Sequence, residues 1–152
     1  MIKNDLGDLE IFGENLYATH SIEYRKLDHH YYVFAVRVHN TWLSWEEVKF
    51  YSAMFDFPTV PELQTVVPTE QKSLQHEVLQ LASESSVFQS FDVITGTACQ
   101  REGIVTRNAD AFAVEDFERN VFKYVRKGHV KTDEHWTRNW RRAKLYWEYS
   151  AN

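Results

Sequence analysis

YYVFAVRV, residues 31–38, is the stretch on which the fold turns. It is eight residues of aromatic and β-branched side chains with no Gly or Pro to break it, and it reads as a strand. Alternation puts Tyr32, Phe34 and Val36 on one face and Tyr31, Val33 and Ala35 on the other. An aromatic ring left open on such a face can stack on a nucleobase. A covered one is core.

Upstream, residues 1–10 are polar and aperiodic, 9–12 (LEIF) suit a short strand, and NLYATHSIEY is irregular. Downstream, Ser44 and Glu47 make a Ser-x-x-Glu capping box. It opens a helix to about Met54 with Val48, Tyr51 and Phe55 as its inner stripe. Pro58 and Pro61 close that unit, and residues 62–67 suit another short strand. Pro68-Thr69 opens a second helix to about Ser83, with Leu74, Val78 and Leu81 on one face, and the SESS run at 83–86 ends it. Strands are expected at 87–93 and 102–107, and a third helix near Glu115. Thr132 with Asp133 and Glu134 starts a fourth, because acids suit a first turn. On it Trp136, Trp140, Ala143 and Trp147 form a docking seam. There is no repeat and no domain boundary. The expectation is a single α+β domain over 1–152, mostly antiparallel sheet with flanking helices and a C-terminal helix.

Length and composition agree: 152 residues suffice for one domain, and 43% hydrophobic with 26% charged is a globular balance. The single cysteine, Cys99, excludes an internal disulfide framework and suits a reducing compartment. No apolar run reaches membrane-span length and no signal segment is visible, so a cytoplasmic protein with no membrane partner is expected. The net charge of −5 is unevenly spread. Residues 119–144 hold nine Lys/Arg against Asp133 and Glu134, a net +7, so the remainder carries −12. That is either an anion-binding footprint or a solvated basic face.

Four constellations carry chemistry. In LEIFGENLYATHSIEY (9–24), Gly13 permits close backbone approach, and Glu14 suits a ribose hydroxyl or a metal. YYVFAVRV offers its rings. In REGIVTRNADAF (101–112), Glu102 stands where a strand begins and can share Mg²⁺ with a phosphate. In NVFKYVRKGHVKTDEHW (120–136), Lys123, Arg126 and Lys127 suit phosphate oxygens, while His129 and His135 fit no standard zinc spacing. Phe117, Val121, Tyr124 and Val125 keep helical spacing, which leaves strand and helix both open at Lys123.

In this order, GENLYATHSIEY, the aromatic strand, LSWEE, P-x-V-P, REGIVTR and FKYVRKGHVKTDEHW resemble the ATP-dependent RNA ligase family of nucleotidyltransferases, from about Leu9 to Arg142. The resemblance implies a partial nucleotidyltransferase (ATP-grasp-like ligase) fold. It also implies a reaction in which a lysine attacks the α-phosphate of ATP. The adenylate then passes to an RNA 5′-phosphate, and a 3′-hydroxyl displaces AMP. ATP and Mg²⁺ are the implied cofactors, and RNA ends the implied partners. By resemblance Glu14 lies near the nucleotide ribose, Phe34 (or Tyr32) stacks on adenine, Glu102 is linked to the metal, and Lys123 meets the α-phosphate. Arg126, Lys127, Arg141 and Arg142 are the RNA or phosphate contacts.

Two departures qualify this. The family's last motif reads Lys-x-Lys, but Val125 fills the second slot. The nucleophilic Lys-x-Asp-Gly precedes the glycine–glutamate motif by several tens of residues in the family. Here only Lys3-Asn4-Asp5-Leu6-Gly7 looks similar, with one residue too many and only a few positions before Gly13. Lys3, on a polar terminus, shows no visible means of being pinned or of having its charge suppressed. The expectation is a ligase domain lacking its N-terminal part, unable to self-adenylate alone, with a separate chain as the source of the missing motif. The alternative is a non-catalytic RNA- or protein-binding module using the basic, Trp-rich C-terminal segment.

Overall fold

The computed structural model describes residues 7–67, 70–126 and 141–149. In chain order the elements are β1 (Leu9–Asn15), β2 (Ala18–Thr19), β3 (Ile22–Tyr24), β4 (Tyr31–Val38), β5 (Thr41–Trp42), α1 (Trp45–Met54) and α2 (Gln71–Ala82). There follow β6 (Ser90–Asp92), β7 (Gly103–Arg107), β8 (Phe112–Ala113), α3 (Phe117–Asn120), β9 (Val121–Val125), β10 (Arg141–Arg142) and α4 (Tyr146–Tyr149). The class is α+β, the named strand pairs are antiparallel, and a one-turn helix stands at the C-terminal end. Among the described residues no helix is long and apolar enough to cross a membrane.

The described residues divide into two compact units. Of these, the first draws on residues 7–15, 31–60 and 105–122, and the second on 16–30, 61–67, 70–104, 123–126 and 141–149.

The first unit is a four-stranded sheet in the order β1-β4-β5-β8. Its core is Val33, Val36, Leu43 and Val48, with Leu9, Ile11, Tyr31, Val38, Trp45 and Tyr51 packed around them. α1 covers this face with Val48, Trp45 and Tyr51, and its capping box forms as the sequence predicts. Ser44 Oγ accepts from the Glu47 N–H at 3.2 Å, and Glu47 Oε1 accepts from the Ser44 N–H at 3.1 Å. The helix closes in a Schellman turn. Asp56 takes φ +59°, its N–H donates to Ala53 O, and the Phe57 N–H donates to Ser52 O at 2.8 Å.

One expectation about β4 is corrected here. Phe12 pairs with Ala35 but Gly13 pairs with Val33, so Phe34 is an extra residue, a β-bulge. The bulge reverses the inward–outward parity. Tyr31, Val33, Val36 and Val38 all meet the core, and Val36 therefore does not share a face with Tyr32. β5 is too short to pair with the first half of β4. Residues 58–60 flank that half instead, with the Val33 N–H donating to Pro58 O and the Val60 N–H to Val33 O. The strand expected at 62–67 is absent, and these residues are irregular.

The second unit is built from short pairs, β3 with β6 and β10 with β2, beside α2. Its buried apolar residues among those described are Ile22, Leu27, Ala82 and Ala143. Pro68 and Thr69, read as the opening of α2, lie outside the described residues, and the N-cap is Glu70. The strand at 87–93 shortens to Ser90–Asp92.

The C-terminal third departs most from periodicity. The helix expected near Glu115 is one 3₁₀ turn and α3, after which the chain turns into β9. Asn120 makes the switch. Its Nδ2 donates to Asp116 O, its Oδ1 accepts from Asn108 Nδ2, and its carbonyl accepts the Asn108 N–H at 2.8 Å. That anchors β9 beside β7, so Lys123 lies on a strand. The helix expected from Thr132 lies largely outside the described residues, as do Trp136 and Trp140. It does not run on through 141–142, which form a strand, and helix returns only at Tyr146–Tyr149.

Candidate functional site

Glu14 ends β1 and pairs in register with Tyr32 of β4. Gly13 sets that approach. A Cβ at Gly13 would lie 2.5 Å from Tyr31 Cζ and 2.6 Å from the Tyr32 carbonyl oxygen, so only glycine lets the strands close here. Glu14 itself is exposed. Of the two aromatic candidates, Tyr32 is 3% exposed and Phe34 42%. The bulge turns the Phe34 ring outward while Tyr32 is covered, so of the two rings Phe34 is the one left open.

Further along the same face of the sheet lies a cluster that sequence reading missed. Arg37 makes a two-pronged bond to Glu10 (3.1 and 2.7 Å), and its guanidinium stands over both Phe12 and Trp42. The Arg37 hydrogen bond holds the Glu10 carboxyl below its ordinary range. The pairing becomes visible only once the bulge sets the register of Glu10 opposite Arg37.

In the second unit Glu102 immediately precedes β7, and its carbonyl accepts the Arg126 N–H at 2.9 Å. Gly103 is pressed against the backbone of Tyr124, leaving no room for a side chain. Lys123 is exposed on β9. Strand alternation gives Lys123 and Val125 one face and Tyr124 the other. The place of the motif's second lysine is therefore held by a valine that is 49% exposed. The structure thus brings Glu14 beside Tyr32, and Glu102 beside Arg126, in separate units. Lys127, Lys3, His129 and His135 lie outside the described residues.

Arg141 and Arg142 already have carboxylate partners. Arg141 donates to Glu23 at 2.6 Å, and Arg142 forms a two-pronged pair with Glu148. That pair and the Leu145 N–H hold the Glu148 carboxyl down to about 2.

Among the described residues no three His, Cys, Asp or Glu side chains converge as a metal cage. Mg²⁺ needs no such cage, since it commonly takes one or two carboxylates and completes its shell with water and substrate phosphates. Glu102 fits that donor set. A family model described as RNA ligase matches residues 1–125. No curated protein and no solved structure matches the chain.

Proposed function

The chain belongs to the RNA ligase family, and from that premise we propose that it is an ATP- and Mg²⁺-binding nucleotidyltransferase domain acting at RNA ends, and that it does not adenylate itself alone. The observation that carries the reading is the family match over 1–125, which takes in the glycine–glutamate, aromatic, Glu-Gly and Lys123 motifs in one order. Glu14 meets the ribose, Phe34 stacks on adenine, Glu102 shares the metal with phosphate, and Lys123 meets the α-phosphate. Tyr32 supports Glu14 across the strand pair. Arg126 and Lys127, with the exposed flanks of Arg141 and Arg142, contact phosphates. Bound Mg²⁺ would neutralise charge on the phosphates. No Lys-x-Asp-Gly occurs within residues 1–152, the nearest run being Lys3-Asn4-Asp5-Leu6-Gly7. A separate chain bearing that motif is the proposed partner, and the cytoplasm the proposed location.

The test is incubation with ATP labelled at the α-phosphate and Mg²⁺, followed by denaturing electrophoresis. No labelled chain is expected, and a covalent adduct would overturn the proposal. Reversible ATP binding, read by calorimetry, should weaken about tenfold or more in Glu102→Ala and Lys123→Ala, the usual loss of a charge-assisted contact. Unchanged affinity in both variants removes the assigned roles.

Val125→Lys supplies the second cation of the motif on the same strand face as Lys123. ATP affinity is expected to rise about tenfold, in keeping with a charge-assisted phosphate contact. A variant that binds no tighter shows that this face of β9 does not meet the nucleotide.

A further inference from the structure

Residues 16–30 leave the first sheet after Asn15 and return to it at Tyr31. The Leu16 N–H donates to His30 O at 2.7 Å and closes the neck of this excursion. Its own strands, β2 and β3, are two and three residues long. Strand pairs this short are not stable by themselves. What they rest on includes residues 141–149. β10 pairs with β2 (Arg141 with Thr19, Arg142 with Ala18). Ala143 is buried and uses both its backbone groups on the excursion. Its N–H donates to Tyr17 O at 2.6 Å, and its carbonyl accepts from His30 Nε2 at 2.9 Å. The Tyr146 N–H donates to the carbonyl of fully buried Leu27 at 2.7 Å, and Arg141 reaches Glu23. The segment braces itself too, since Glu148 accepts from both Arg142 and the Leu145 N–H.

We propose that residues Arg141–Tyr149 are a strap that holds the Leu16–His30 excursion folded, and that releasing the strap opens the excursion while the sheet of the first unit stays intact. Two strand residues and one helical turn have no stability alone. The strap and the excursion therefore order each other, and a small perturbation of either is felt by both. The strap lies beyond the residues matched by the family model. It occupies Arg141 and Arg142 with internal partners.

Hydrogen exchange on the full-length chain tests this. Reporters are the amides of Leu16, Arg25 and Lys26, all hydrogen-bonded within the second unit, and controls are those of Leu43 and Val48 in the first. Ala143→Pro removes the donor to Tyr17, and Glu148→Gln weakens the brace while keeping its shape. Exchange at the reporters should speed up at least tenfold in Ala143→Pro and measurably in Glu148→Gln, with the controls unchanged. Should Ala143→Pro not fold, Glu148→Gln decides alone. Reporters that exchange at the wild-type rate overturn the strap. Controls that accelerate as much as the reporters also overturn it, because the two regions would then open as one.

Discussion

Replacing Gly103 by alanine is expected to pull β7 and β9 apart and to lower stability by about 3 kcal/mol, the upper range for overpacking a closed site. The new Cβ would fall onto the Tyr124 carbonyl oxygen and lie 3.2 Å from Val125 Cα. Both are backbone atoms, so no side-chain rotation relieves the clash. For a chain of this size the loss corresponds to a melting temperature lower by roughly 10 °C. Val105→Ala, two residues along the same strand and exposed, serves as the control and should stay within about 0.5 kcal/mol of the parent. Gly103→Ala also disturbs the bond between the Arg126 N–H and Glu102 O that seats Glu102. ATP affinity should therefore fall along with stability. A Gly103→Ala variant that melts with the parent would show that the two strands do not approach as closely as described.

Leu27→Ala should cost about 3 kcal/mol, within the range for deleting a fully buried leucine. The second unit has few other large buried side chains among the described residues, so little can collapse into the space. Leu27 also supplies the carbonyl that receives the Tyr146 N–H, so the loss spreads from the excursion into the strap. Denaturant unfolding measures the total. Chymotrypsin shows where it falls, with early cleavage expected at Tyr17 and Tyr24 and late cleavage at Tyr31 and Tyr51. Lys26→Ala, at an exposed neighbouring position, should leave both readings unchanged. Equal cleavage throughout the chain would mean that Leu27 supports the whole fold rather than one excursion.

Local signals in the sequence were legible where local physics decides. YYVFAVRV is a strand over the expected eight residues, and Ser44 and Glu47 cap α1 as a reciprocal pair. Periodicity failed where a distant partner decided. Phe117, Val121, Tyr124 and Val125 keep a helical period, yet Asn108 captures Asn120 and the chain continues as a strand. Ala143 was read on a helical seam, but a two-residue strand precedes it and its amide goes to Tyr17, far away in sequence. The candidate site divides in the same way. The motifs were readable as residue types in order, and the family match spans them. Which ring is open was not readable, because simple alternation gives Tyr32 and Phe34 the same face.

The sequence by itself determined the class, the main strand, the capped helix and the family, all properties of neighbouring residues. Tertiary structure alone decided that Phe34 is turned out and Tyr32 covered, that Lys123 stands on a strand with Val125 beside it, and that Arg141 and Arg142 are held by Glu23 and Glu148. The physical reason is the same in each case. A bulge, a strand partner or an ion pair depends on which backbone lies across the gap, and residues far apart in the chain supply it.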